Sequence, residues 1–241
     1  ARVLVNRIWQ QHFGTGLSST PSDFGIMGEE PTHPELLDYL ADELINGGWS
    51  VKRLHRMIVM SSVYRTSSTH PTDPSGFARW NLAEQVDPEN RWLSHFPRRR
   101  LDAESIRDGL LAACDSLNFE MGGPGVCPPL PPEMVKTLKS GQWKESPSRA
   151  DHDRRSVYIF ARRNLRYPFF ATFDRPTADQ PCAVRNQSTT AIQSLVLLNS
   201  DLMMKASERL ATVVSRGQSD ADAQIKELYL RLYARHPDPG E

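Results

Sequence analysis

Residues 97–117 read PRRRLDAESIRDGLLAACDSL, and the rest of the chain is organised around this stretch. Three consecutive arginines, Arg98, Arg99 and Arg100, stand just ahead of a helix that carries its own acids. Asp102 is placed to act as N-cap, its carboxylate accepting backbone N–H groups that have no partner within the helix. Glu104 falls in the first turn, where negative charge suits the helix dipole. Leu101, Ile106, Leu110, Ala113 and Leu117 recur at spacings of three to five residues and form one apolar stripe. Glu104, Arg107 and Asp108 share the other face. Such a face reads in two ways. It is a structural lattice of ion pairs, or it is a pocket in which arginines hold an anionic or polyhydroxylated ligand while Glu104 or Asp108 does acid–base work.

The same periodicity runs outward from this helix in both directions. Val5, Ile8, Trp9 and Phe13 make a stripe on a helix over residues 2–13, with Gly14 closing it. His12, near that C-terminus, is expected to favour the dipole there. Residues 14–31 form a loop in which Phe24 and Ile26 anchor to the core. Thr32-His33-Pro34-Glu35 reads as a capping box with proline in the first turn, opening a helix to Ile45. After Gly47-Gly48, Trp49 can fold back onto the stripe and Ser50 caps the next helix. That helix runs from Val51 to about Tyr64, with Leu54, Met57, Ile58 and Val63 inward. Residues 66–96 are mostly connection.

Beyond the organising helix, residues 118–153 are irregular. MGGPGVCPPLPPE is too rich in proline for helix or central strand and should be extended. Trp143 anchors it. RSVYIF, residues 155–160, is the best strand candidate, and Arg162, Arg163 and Arg166 follow as a second basic cluster. Phe169, Phe170 and Phe173 form an aromatic patch on a short helix. Ser188-Thr189-Thr190 caps a helix carrying Ile192, Leu195 and Leu198, and Asn199-Ser200-Asp201 breaks it and caps the next. A turn over residues 217–220 precedes a last helix over residues 221–234. The expected fold is therefore mainly α: an irregular multi-helix domain with long Pro-rich loops and at most a small β element. We take residues 1–241 as a single domain cut at both ends from a longer multidomain chain. It subdivides into a helical half (1–118), a loop and strand insert (119–187) and C-terminal helices (188–241).

Lys plus Arg and Asp plus Glu number 29 each, and this balance argues against a nucleic-acid-binding role, which leaves a net basic footprint. No long apolar run offers a membrane span. Cys114, Cys127 and Cys182 have no metal-ligand spacing and no CxxCH haem-attachment motif; unpaired thiols are the default, with a Cys127–Cys182 pair in an oxidising compartment as the alternative. Asp151-His152-Asp153 has no fourth partner and reads as an exposed loop, so no metal is expected. His55 with Ser61 lacks a nucleophile elbow, which argues against nucleophilic catalysis.

Several long motifs in order carry a family resemblance. They are NRIWQQHFGTGL, PSDFGIMGEEPTHPELLDYLADELINGGWSVKRLHRMI, SSVYRTSS, DPENR, PRRRLDAESIRD, MGGPGV, PPLPPE, RRSVYIFARRNL and TTAIQSLVLLNS. The chain resembles the C-terminal uncharacterised domain of large exported proteins of planctomycete type, which also carry c-type cytochrome domains. The resemblance covers essentially the whole sequence. It implies a domain of unknown function in an extracytoplasmic multidomain parent. No cofactor is expected in this segment, and haem only in another domain. Its recurrent polar positions fall here on Asn6, Arg7, Asp23, His33, His55, Arg56, Tyr64, Arg65, Arg98, Arg99, Arg100, Glu104, Arg107, Asp108, Arg163, Arg185 and Asn199. Ala183-Val184-Arg185 stands where an Arg-Arg pair is common.

From these we take Arg98, Arg99, Arg100, Arg107, His33, Tyr64, Arg65, Arg163 and Arg185 as ligand-binding candidates. Glu104, Asp108 and His55 are weaker catalytic candidates. Three functions compete: a non-catalytic binding or docking module, a polysaccharide- or sulfated-glycan-active enzyme with an Arg/carboxylate site, and a helical scaffold. The expected partners are other domains of the parent chain and a glycan or extracellular polymer, with no nucleic acid and no membrane insertion.

Overall fold

The computed structural model describes residues 1–139, 141–217, 220–238 and 240. It is mainly α, with eleven α-helices and no sheet among the described residues. Contacts divide the chain into two compact units, residues 1–100 and 101–241, each with its own core.

The first unit is built on α1 (Arg2–Phe13), α2 (Pro34–Asn46), α3 (Val51–Met60) and α4 (Pro74–Val86). Val5, Ile8, Trp9 and Phe13 of α1 pack with Leu37, Leu40, Ala41 and Leu44 of α2 and with Leu54 and Ile58 of α3. Burying each such side chain contributes roughly 1.5–3 kcal/mol. Asn6 is fully buried beside them. Its amide donates to the Ser18 carbonyl at 3.0 Å and accepts from the Ser18 N–H at 2.9 Å, pinning the loop after α1. That clasp requires Gly16, because a Cβ there would lie 2.6 Å from the Asn6 amide nitrogen.

Several local expectations in this unit are corrected. The Thr32 hydroxyl bonds the Leu17 carbonyl and His33, and His33 is the N-cap of α2 without a side-chain cap bond. Trp49 sits at φ 60° with its backbone N–H returning to the Leu44 carbonyl at 2.8 Å, and in this left-handed conformation its side chain stays exposed instead of folding back. Ile26 is likewise exposed, leaving Phe24 as the loop's core contact. The supposed connection over residues 66–96 contains α4, started by the Asp73 carboxylate accepting the Gly76 N–H at 2.7 Å. Ser50 does cap α3, accepting from the Arg53 N–H.

The second unit holds α5 (Ala103–Ala113), α6 (Pro132–Thr137), α7 (Arg149–His152), α8 (Pro168–Thr172), α9 (Ala191–Asn199), α10 (Asp201–Gly217) and α11 (Ala221–Tyr233). Its core gathers Ala103, Val126, Ile159, Phe169, Phe170 and Phe173, with Trp143 packed against them and bonded through its indole N–H to the Pro128 carbonyl. The organising helix α5 buries Ala103, Arg107, Leu111 and Ala113, while Leu101 is exposed. The inward face thus includes a charged residue that the stripe assigned to the outside. Asp102 is the N-cap by position, but its carboxylate makes no cap bond and faces Arg185 instead.

RSVYIF does not form a strand. Ser156–Tyr158 is a 3₁₀ turn, and only single bridges flank it: Val126 with Ile159, and Asn118 with Arg154. The neighbouring segment is rich in proline, which has no N–H to extend a ladder. The proline run is not wholly extended either, because its end enters α6 at Pro132. Asp151 and His152 belong to α7 instead of an exposed loop, and Asp153 caps it. On α9, Ile192, Leu195 and Leu198 are exposed, and Gln193 is the buried residue. The expected 217–220 turn includes residues 218 and 219, which lie outside those described.

Candidate anion-binding site

A recess of about 290 Å³ opens in the second unit, lined by residues of α5, of the segment 160–170, of α8 and of the loop after it. Four arginines contribute to its wall: Arg162, Arg166, Arg175 and Arg185. Among the described residues Glu104 is the one acid in the lining. The aromatic share comes from Phe160, Tyr167 and Phe170.

α5 places Glu104 in its first turn, near the positive end of the helix dipole. There the carboxylate is held by two guanidinium groups. Arg185 reaches it through two nitrogens, at 2.8 and 3.3 Å, and Arg175 stands 3.2 Å away. The two-nitrogen pairing is the fork geometry in which arginine–carboxylate contacts are strongest. Asp102 adds a second acid to Arg185 at 3.4 Å. Partial burial works against the Arg185 charge, but the Glu104 hydrogen bond and charge, with Asp102, raise its pKa overall.

The other two arginines are differently engaged. Arg162 donates to the Gln142 carbonyl. Arg166 is exposed and has no carboxylate or hydrogen-bond partner among the described residues. With four cations against Glu104 inside the lining, the recess keeps an excess of positive charge. Cys182, a free thiol, sits at the edge and donates to the Val184 carbonyl.

Behind the recess lies a buried polar frame. Arg107 is 1 % exposed and donates to the Arg154 carbonyl at 2.9 Å, the Ser156 hydroxyl at 3.1 Å and the His152 carbonyl. Burial pushes its pKa down, opposed by Tyr167, Asp108 and Asp153. Tyr167 is pushed up by the same burial, with Arg107 working the other way. The Asp108 carboxylate accepts the Ser156 backbone N–H at 2.7 Å and lies 3.7 Å from Arg107. Arg107 and Asp108 therefore fasten the 152–156 segment to α5.

The candidates named from the sequence are distributed over both units. Glu104 and Arg185 stand together in the recess, with Arg107 and Asp108 behind it. Arg163 is exposed outside the lining, 3.9 Å from Asp179. The remaining candidates belong to the first unit. There His55 Nδ1 lies 2.7 Å from His12 Nε2, and Tyr64 packs edge-on to the His12 and Phe13 rings. Arg99 donates to the carbonyls of Gln10 and Gln11 at the end of α1. His12 does stand in the last turn of α1, but burial, His55 and Arg99 all lower its pKa, which works against a charged partner for the dipole there. His33 bonds Thr32, Arg100 is half-buried, and Arg65 and Arg98 are exposed.

Arg162, Arg166, Arg175 and Phe160 were not singled out as site residues. The first two stood in plain view as a basic cluster after RSVYIF. Arg175 and Phe160 carried no signal beyond their residue type. Among the described residues no group of three or more His, Cys, Asp or Glu side chains converges to hold a metal ion, and no helix is long and apolar enough to cross a membrane.

The second unit thus carries a positively charged, aromatic-walled recess on an α-helical frame. The family model of PSD1, a protein of unknown function (DUF1553), matches residues 1–241, and the chain belongs to that family. No curated protein matches the chain. No solved structure matches it either.

Proposed function

We propose that this domain is a non-catalytic binding module whose recess takes an anionic group of its ligand. The observation that carries the reading is the state of Glu104. The one acid in the lining among the described residues is engaged by both Arg175 and Arg185, while Arg166 has no partner among them and faces the same space. An acid or base must reach the atom whose proton it moves. Glycoside hydrolysis in its common form further needs two carboxyls about 5–10 Å apart across the bond. Asp108, which would have to be the second, is spent on the Ser156 N–H and is not part of the lining. Guanidinium groups in excess over carboxylates instead suit phosphate, sulfate or carboxylate, which they meet with paired hydrogen bonds.

The same reading makes the domain part of an exported parent that bears its haem elsewhere, with neighbouring domains and an extracellular polymer as partners. The motif resemblance supports this placement.

The test is titration of the purified chain with inorganic phosphate, inorganic sulfate, and a sulfated oligosaccharide beside its desulfated counterpart. Anions should raise the thermal midpoint saturably, because only a ligand that prefers the folded state does so. The desulfated sugar should not. Arg166→Ala should weaken anion binding about tenfold or more, the value of a charge-assisted hydrogen bond. Absence of saturable anion binding, or an Arg166→Ala variant that binds as the parent does, rejects the reading.

A further inference from the structure

The recess is asymmetric in a way that describes the rest of the ligand. Of its three aromatic side chains, two are already occupied. Phe170 is buried and carries the Arg175 guanidinium over its ring at 4.8 Å. Tyr167 is directed to Arg107 and packs on Trp143 and Phe170. Phe160 is different: it lines the recess and is 50 % exposed.

Its position is fixed by the backbone. The Phe160 N–H donates to the Val126 carbonyl at 2.9 Å, and the Val126 N–H donates to the Tyr158 carbonyl at 2.8 Å. Gly125 lies against the side chain, where an added Cβ would come 3.5 Å from the ring edge. The chain thus holds a large apolar ring at the lip of a cationic recess. Half of that ring stays in contact with water, where apolar surface is unfavourable. A ligand that covers it removes part of that contact.

We propose that the ligand is a ring bearing an anionic group. The anion enters among Arg162, Arg166, Arg175 and Arg185, and the ring lies on Phe160. This deepens the anion-binding reading and rests on it. The recess volume is at the lower edge of the range for small-molecule pockets, about 300 Å³ upward, which suits one ring with its substituent. Sugar and aromatic rings share the required chemistry, since both present C–H edges or faces to a phenyl ring.

The experiment is calorimetric titration of the whole chain with four probes: inorganic phosphate, ethyl phosphate, glucose 6-phosphate and phenyl phosphate. At least one ring ester should bind about three- to tenfold more tightly than ethyl phosphate, the range of an aromatic contact. Which of the two it is identifies the ring as sugar or aromatic. Phe160→Ala, an exposed position, should remove that preference and leave the affinity for inorganic phosphate unchanged. Ring and ethyl esters that bind alike, or a preference that survives Phe160→Ala, overturns the inference while leaving the anion site standing. If no phosphate probe binds, the ring inference falls, and the anion reading falls with it when inorganic sulfate and the sulfated oligosaccharide also fail to bind.

Discussion

A guanidinium that is 1 % exposed has given up its hydration, and Arg107 recovers part of it through its two terminal nitrogens from acceptors contributed by residues 152–156, while its Nε has no hydrogen-bond partner among the described residues. Its charge faces carbonyl oxygens more than any carboxylate, Asp108 being 3.7 Å away. Removing it would strand buried acceptors, each at a cost of about 1–3 kcal/mol, and leave a cavity. Arg107→Met should therefore lower stability by on the order of 3 kcal/mol. Arg107→Lys should recover only part of this, because an ammonium cannot reproduce the planar fork. Urea unfolding checks both, and an Arg107→Met midpoint close to that of the parent would show that the frame is dispensable. The residue's burial was not legible from the chain. Spacing along α5 grouped Arg107 with Glu104 and Asp108 on a charged face. Its acceptors lie 45 to 49 residues away, where periodicity has no reach. The role of Asn6 was hidden for the same reason: it stands among the recurrent polar positions, but the Ser18 backbone it binds belongs to the loop beyond α1.

At the scale of elements, helix ends separate real caps from sequence look-alikes. Thr190 and Gln193 form a reciprocal capping box at the start of α9, the Thr190 hydroxyl accepting the Gln193 N–H and the Gln193 amide accepting the Thr190 N–H. Thr32 has an equally good sequence pattern, yet its hydroxyl is taken by Leu17 and His33. Thr190→Ala should cost about 1 kcal/mol, and Thr32→Ala clearly less. Equal losses in thermal or urea unfolding would contradict this assignment of caps. The helices with one apolar stripe, α1, α2 and α3, were readable in type, and α1 and α2 nearly in extent, whereas α3 ends at Met60, four residues short of the expected Tyr64. α4 was not, because Phe77, Leu82 and Val86 are exposed and make no one-sided stripe; its Asp73-Pro74 start was the usable sign. α9 is apolar on nearly every side, so periodicity could not choose its buried face. The Gln193 amide chose it, by donating to the Thr172 carbonyl at 3.0 Å and to Ser188 at 3.1 Å. RSVYIF has strand composition without a partner able to continue a ladder.

For the molecule as a whole, the helical class was legible because class follows from summed periodicity, whereas the recess was only half legible because it is assembled from distant loops. The two cores also need not respond alike to solution conditions, and acid should act on the unit formed by residues 1–100 through its histidine pair. His12 of α1 and His55 of α3 stand 2.7 Å apart, so one nitrogen donates and the other must be unprotonated to accept. The groups facing the pair are Arg99, a fixed positive charge, and the ring of Tyr64, neither of which offers a carboxylate. Burial first, then His55 and Arg99, lower the His12 pKa below the ordinary 6.5. A lowered folded value means that the unfolded chain binds the proton more readily. Stability is then full above about pH 6.5 and declines as the pH falls below that value towards the folded pKa. Urea unfolding of the parent should show this loss between pH 8 and pH 5. His12→Gln, which keeps a polar side chain but cannot take up the charge, should show a smaller one. The same pH slope in both proteins would place the acid sensitivity elsewhere among the carboxylates and remaining histidines, and would remove the His12–His55 pair as its source.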